Sequence, residues 1–285
     1  MDGGGSEKEG APMRNQADID EKDYLTDAFS REAVDFVTRH KGKRFFLYLA
    51  YNAVHGPFQA PPEYLDRFRA VPDPQRRACA AMLSAMDDGI GRLLGRLRDL
   101  RLEENTLVFF LSDNGGPPPD RSPASNAPLR GHKGTLFEGG VRVPFVVQWK
   151  GRLKAGTTCD APISSLDLFP TAAAAGEASV PEALKLDGAD ILPFLTGRTS
   201  TPPHERLYWR SSRMKTWAMR DGRWKLVHIG DGKDSLFDLS ADIGEKNDLA
   251  STRPDVVERL AQVYAEWDKS NVPPLWGPPS TPGRR

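Results

Sequence analysis

Three short, nearly unbroken apolar runs limit what this chain can fold into. They are Arg44–Asn52 (RFFLYLAYN), Thr106–Ser112 (TLVFFLS) and Arg142–Trp149 (RVPFVVQW). Runs of this length, without polar alternation, fit strands covered on both faces, as in a parallel sheet flanked by helices. Helical patterns lie before, between and after them. Leu25, Ala28, Phe29, Ala33, Phe36 and Val37 recur at three- and four-residue spacing. This predicts a helix with its apolar residues on one face and Thr26 or Asp27 as its cap. Asp73-Pro74 predicts the start of a long helix, with aspartate as N-cap and proline in the first turn. Its expected apolar stripe is Cys79, Met82, Leu83, Met86, Ile90, Leu93, Leu94 and Leu97. Leu166–Ala175 predicts a further helix. This alternation of helices and buried strands predicts an α/β fold, a mainly parallel sheet with helices on both faces.

The texture changes near residue 205. Lys215–Arg220, Arg223–Ile229 and Ser235–Leu239 are short runs separated by Asp221-Gly222 and by Gly230-Asp-Gly232. Asp-Gly between strand-like runs signals a hairpin, because glycine supplies the positive φ of a tight turn. A small antiparallel sheet is therefore expected, packed with a final helix over Asp255–Lys269. The expected organisation is an unstructured polar leader at 1–22, a partial α/β domain at 23–204, the antiparallel subdomain at 205–270 and a Pro/Gly-rich tail at 271–285.

Composition excludes several classes. Lys+Arg and Asp+Glu both number 39, so no charge excess points to nucleic acid or a membrane surface. No stretch approaches the roughly 18 apolar residues of a membrane span. Residues 1–22 lack the apolar core of a signal peptide, which leaves the compartment open. Cys79 and Cys159 are the sole cysteines, too few for a disulfide scaffold.

In open α/β sheets, ligands sit beyond the carboxyl ends of the strands. After TLVFFLS comes Asp113-Asn114-Gly115-Gly116. A carboxylate beside a carboxamide offers two hard oxygens to Ca²⁺ or Mg²⁺, although the same four residues also make an ordinary turn. After RFFLYLAYN comes His55, followed by Gly-Pro. A histidine there can donate to an anionic substrate or act as a general acid, or simply lie on the surface. Lys133 stands between His132 and Gly134 in RGHKGTLFEGG. Its ammonium suits an anionic oxygen; the plain alternative is a solvated lysine.

Taken in order, these elements are more specific than any one alone. Asn52-Ala-Val-His-Gly-Pro-Phe58, Ser112-Asp-Asn-Gly-Gly116 and Leu129-Arg-Gly-His-Lys-Gly-Thr-Leu-Phe-Glu-Gly-Gly-Val-Arg-Val-Pro144 follow one another along the chain. The series closely resembles the type I, formylglycine-dependent sulfatases of the alkaline-phosphatase-like superfamily. Trp217-Ala-Met-Arg-Asp-Gly-Arg-Trp-Lys-Leu226 and Leu236-Phe-Asp-Leu-Ser-Ala-Asp-Ile-Gly-Glu-Lys-Asn-Asp-Leu249 resemble that family's carboxy-terminal pattern. The resemblance implies that Asp113 and Asn114 match half of a divalent-metal ligand set, usually for calcium. It also implies that Lys133 matches a sulfate-contacting lysine and His55 a histidine near the leaving oxygen. The implied partner is a sulfated small molecule or glycan.

The resemblance also defines what is expected to be missing. The family's first metal ligands are an Asp-Asp pair after a strand, but Asp87-Asp88 falls inside the predicted long helix and reads as helix surface. The formylglycine motif is Cys/Ser-x-Pro-x-Arg. Cys79 and Cys159 do not satisfy it, and Ser280-Thr-Pro-Gly-Arg284, a literal match in the tail, reads as coincidence. The chain therefore reads as the carboxy-terminal portion of a sulfatase, inactive alone. The competing readings are a fragment of a phosphate- or phosphonate-ester hydrolase and a non-catalytic binder of sulfated glycans.

Overall fold

The computed structural model describes residues 12–211, 215–230 and 232–272. The chain divides into two compact units at Glu103/Glu104, and each is described by itself.

The first unit opens with a minimal hairpin. β1 (Met13–Arg14) pairs antiparallel with β2 (Ala17–Asp18) across Asn15, which has φ +58°. Part of the polar leader expected to be unstructured is thus shaped by a turn that asparagine tolerates. α1 (Leu25–Arg39) follows, and its buried face is Thr26, Ala28, Ser30, Ala33 and Val37. Its N-cap is Tyr24, without a side-chain cap bond, which corrects the expected cap. Thr26 is buried in the first turn, and Asp27 instead accepts from Tyr64 Oη (2.9 Å) and Arg92 (2.7 Å).

The short α2 (Pro62–Leu65) leads to α3 (Pro74–Asp99). Asp73 caps α3 as expected, its side chain accepting from Arg76 N at 2.6 Å. The buried stripe differs from the expected one. Met82 and Leu97 are buried, but Leu83 is 51% exposed, and Ala81, Ala85 and Gly89 form the inner face. These three lie four residues apart, so one narrow row of small side chains runs along α3. α1 rests close to that row. Gly89 lies beneath Ser30 and Tyr51: a Cβ there would overlap Ser30 Oγ and approach Tyr51 Oη to 2.8 Å. Ser30 Oγ also bonds Thr26 O (2.6 Å) and Tyr51 Oη (2.8 Å). Asp87 is exposed and Asp88 pairs with Arg67 at 2.8 Å, both on the helix surface.

Arg44–Asn52, expected as a buried strand, joins no β ladder among the described residues. It keeps the burial alternation of a strand. Phe45, Leu47, Leu49 and Tyr51 are half-buried, whereas Phe46 and Tyr48 are 74% and 80% exposed. The apolar run reports a tendency to be extended and covered, but a ladder also needs a neighbouring strand.

In the second unit, β3 (Val108–Leu111) pairs antiparallel with β4 (Phe145–Gln148), with Phe109 opposite Val147 and Phe110 opposite Val146. Every ladder among the described residues is antiparallel. The parallel pairing expected from the apolar runs is therefore not seen there; a continuous apolar run signals coverage and carries no information about strand direction. α4 (Glu138–Val141) lies between these strands. A 3-10 turn at Ser165–Asp167, with Ser164 and Asp167 as a capping box, leads into α5 (Leu168–Ala175), matching the helix expected there. The short α6 (Leu192–Leu195) follows.

β5 (Arg206–Ser211), β6 (Thr216–Asp221), β7 (Trp224–Ile229) and β8 (Lys233–Asp238) form an antiparallel meander, and α7 (Pro254–Asp268) covers it. Register separates the two faces. Met219, Leu226 and Leu236 are cross-strand partners and pack against Val256, Leu260 and Tyr264 of α7. Ala218, Val227, Phe237 and Leu239 bury the opposite face, against Leu136 and Phe137 of the RGHKGTLFEGG block. Cys79 and Cys159 are free thiols. No helix among the described residues is long and apolar enough to cross a membrane.

Candidate functional site

Asp113 and Asn114 follow β3 directly. Ser112 Oγ donates to Asn114 O at 2.9 Å, which turns the chain away from the strand direction. The Asn114 carboxamide donates to the Asp113 carboxylate. Asp113 is exposed and Asn114 half-buried.

The next two glycines are pressed against the RGHKGTLFEGG block. Gly115 N donates to Gly140 O (3.1 Å), and a Cβ on Gly115 would overlap Gly139 O. Gly116 N donates to Asn126 Oδ1 (2.8 Å), and Asn126 Nδ2 returns a bond to Gly116 O (3.0 Å) and reaches Gly131 O (3.2 Å). Lys133 N donates to Gly116 O at 2.9 Å. The backbone carrying Lys133 is thereby fixed to the backbone just past Asp113 and Asn114. The loop also closes on itself. Gly139 N donates to Arg130 O (2.6 Å), and Thr135 Oγ1 donates to His132 O (2.8 Å) while accepting from His132 N (3.1 Å). Lys133 itself is exposed.

His55 belongs to the first unit. It too is exposed, with its backbone N–H on Asn52 O at 2.8 Å and its Nδ1 2.7 Å from Gly56 O. A carbonyl only accepts, so Nδ1 carries the hydrogen. Nε2 is then an acceptor in the neutral ring and a donor only in the imidazolium. Of the residues expected to act, the second unit brings Asp113, Asn114 and Lys133 together.

Sequence reasoning missed a buried ion cluster beside this loop. Lys225 on β7 is fully buried and reaches Glu138 Oε1 (2.7 Å) and Glu245 Oε1 (3.1 Å). Glu245, also fully buried, accepts from Glu138 N through Oε2 (2.7 Å). Arg130 Nη1 donates to Glu245 O (2.9 Å), and its guanidinium lies 4.1 Å from the Phe137 ring centroid. Burial pushes the Glu245 carboxyl above its usual range, and Lys225 opposes that shift. A signal was available in the sequence: Lys225 interrupts an otherwise apolar strand, Trp224-Lys-Leu-Val. A buried lysine requires an anion.

The hard oxygens of Asp113 and Asn114 suit part of the shell of a divalent cation. Among the described residues, no group of three or more His, Cys, Asp or Glu side chains could hold a metal ion.

Comparison with known proteins gives this geometry its context. Residues 3–178 match the family model described as Sulfatase. The chain belongs to the sulfatase family. Residues 132–269 match the model described as N-sulphoglucosamine sulphohydrolase, C-terminal. The uncharacterized sulfatase YdeN of Escherichia coli is 30% identical over 92% of this chain and 54% of its own length. Arylsulfatase J of Mus musculus is 29% identical over 93% of this chain and 52% of its own. The crystal structure of Ps i-CgsB in complex with k-i-k-neocarrahexaose superposes with a TM-score of 0.85 at 35% identity, over 92% of this chain and 59% of that one. The chain thus spans about half the length of the curated relatives it matches. Its fold is alkaline-phosphatase-like, and the antiparallel meander under α7 suits a carboxy-terminal portion of a sulfatase.

Proposed function

We propose that this sulfatase-family chain serves the hydrolysis of sulfate esters, aryl or carbohydrate, and that its 285 residues alone do not turn them over. The observation that carries the reading is the bond from Lys133 N to Gly116 O at 2.9 Å. It couples a cationic loop to an oxygen-rich strand end in a chain of this family.

In this reading the Lys133 ammonium neutralises charge on a sulfate oxygen as the ester bond breaks. By family resemblance alone, His55, whose Nδ1–H is held by Gly56 O, would donate from its protonated Nε2 to the leaving oxygen. Asp113 and Asn114 would hold a divalent cation, calcium by family resemblance, which when bound supplies positive charge to the sulfate oxygens. The Asn114 carboxamide, now donating to Asp113, would turn its oxygen outward to join that shell. Two oxygen ligands fall short of the roughly six to eight that calcium takes, so weak calcium binding by these residues alone is expected. The family's formylglycine supplies nucleophilic attack at sulfur. Its Cys/Ser-x-Pro-x-Arg motif occurs here only as Ser280–Arg284, outside the described residues.

A sulfated sugar is the favoured substrate class. Its support is the likeness to Ps i-CgsB, solved with k-i-k-neocarrahexaose. The test is hydrolysis of an aryl sulfate and of sulfated oligosaccharides by the 285-residue chain and by a longer protein that also carries the modification motif. The chain alone should be silent and the longer protein active. Lys133→Ala should cost the longer protein about 10²–10³ in kcat. Turnover by the chain alone would refute its inactivity, and a fully active Lys133→Ala enzyme would refute the role of Lys133.

A further inference from the structure

We propose that the buried Lys225–Glu138–Glu245 cluster is a positioning device that holds the Lys133 loop in register on the carboxy-terminal sheet. The inference rests on the sulfatase reading only for the importance of Lys133; its geometry stands separately.

Lys133 lies between two anchor points, Arg130 and Glu138. Glu245 grips both. Its carbonyl accepts from Arg130 Nη1 at 2.9 Å, and its carboxylate accepts from Glu138 N at 2.7 Å. Lys225 rises from β7, on the sheet face that also carries Val227 and Phe237, and draws the Glu138 and Glu245 carboxylates to one ammonium. Arg142 Nη1 lies 3.5 Å from the other Glu138 oxygen. Glu245 Oε1 has no hydrogen bond of good geometry, so the 3.1 Å approach of Lys225 Nζ is its compensation among the described residues. Leu136 and Phe137 fill the space beside the cluster against the sheet.

A buried ion cluster adds little net stability over well-packed apolar groups of similar volume, and fixing register is the best-attested use of such buried polar groups. The two carboxylates accept from a small set of donor positions and Lys225 pairs with both, so the loop has one way to sit. Apolar contacts at Leu136 and Phe137 alone would tolerate sliding, since hydrophobic attraction is not directional. Glu245 also adopts φ +51°, an uncommon conformation for a residue with a side chain. In that conformation its carbonyl and its carboxylate serve the two anchors at once.

The test separates positioning from plain stability. In the triple variant Glu138→Gln/Lys225→Met/Glu245→Gln every charge of the cluster is removed with little change in volume, so the sheet should stay folded. Hydrogen exchange should quicken about tenfold or more at the Lys133 and Gly139 amides, which donate to Gly116 O and Arg130 O, and little in β6 and β7. Glu245→Ala should loosen the same two amides. Glu245→Gln should restore them, because its amide oxygen still accepts from Glu138 N. Unchanged exchange at Lys133 and Gly139 in the triple variant overturns the proposal. So does equal loosening of loop and sheet, which would make the cluster a plain stability element. In a longer protein with sulfatase turnover, Glu245→Ala should lower kcat about tenfold with KM little changed, and Glu245→Gln should recover it. Where Lys133→Ala does lower turnover, an unchanged kcat in Glu245→Ala overturns the proposal. If Lys133→Ala leaves turnover intact, the sulfatase role of Lys133 fails, and loop exchange still decides the cluster.

Discussion

The β5–β8 meander and the segment Arg44–Asn52 begin from similar sequence signals and end differently. Both are rich in aromatic and branched residues. In the meander every strand has a ladder partner, and both faces are covered, one by α7 and the other by Leu136 and Phe137. Arg44–Asn52 keeps the burial alternation of a strand but joins no ladder among the described residues. It is held by side chains instead, through Tyr51 Oη on Ser30 Oγ and an edge-to-face contact of Phe45 with Phe36 at 6.0 Å. Hairpin turns bring the strands of the meander together within a few residues, whereas a strand such as Arg44–Asn52 needs a partner from elsewhere in sequence.

The comparison can be broken most strongly in the meander. Leu226 is fully buried between the sheet and α7, so Leu226→Ala should cost about 2–5 kcal/mol in denaturant unfolding of the second unit. A cost below about 1 kcal/mol would mean that the sheet core is not closely packed there. Gly89→Ala strikes the anchor of Arg44–Asn52. Alanine favours helix over glycine by about 1 kcal/mol. Here, however, the added methyl would displace Ser30 and Tyr51, and the net should be a loss of about 1–3 kcal/mol. A stabilised variant would show that α1 and Tyr51 are not bound to that surface. Acid should act more weakly. The Asp238 carboxyl at the end of β8 is held below its usual range, first by the Ser240 hydroxyl. Its contribution is therefore present above the unfolded pKa and lost as pH falls through the folded one, below about 4. Asp238→Asn should flatten stability against pH in that window and leave the slope at neutral pH unchanged. The smallest effect is expected at Tyr48. It is 80% exposed, so Tyr48→Ser should stay within about ±0.5 kcal/mol. A larger loss would reveal a cover over that face.

Much of the fold was legible in the sequence because its signals are local. The cap at Asp73, the Asp221-Gly222 turn and the apolar face of α7 each depend on residues within a turn or two. The inner stripe of α3 was not legible. Alanine and glycine carry little hydrophobic signal, yet Ala81 and Ala85 lie inward against Tyr64, and Gly89 lies inward because a side chain there would meet Ser30 of α1. Asp113 and Asn114 were singled out by residue type at a strand end and Lys133 by its glycine-rich loop, and the structure places the three on one backbone framework. The Glu138–Lys225–Glu245 cluster is held by partners 87 and 107 residues apart. No local pattern encodes such a pairing, and only the odd lysine in β7 hinted at it.

The glycines of this framework have a thermodynamic consequence. Gly115 and Gly140 hold backbone against backbone, with no rotamers between them to loosen. Ordering a flexible residue costs about 1–2 kcal/mol of entropy. Residues 113–116 and 130–140 have already lost that freedom on folding. An anion meeting Lys133 therefore has only the lysine side chain left to order, and more of its contact energy can appear as affinity.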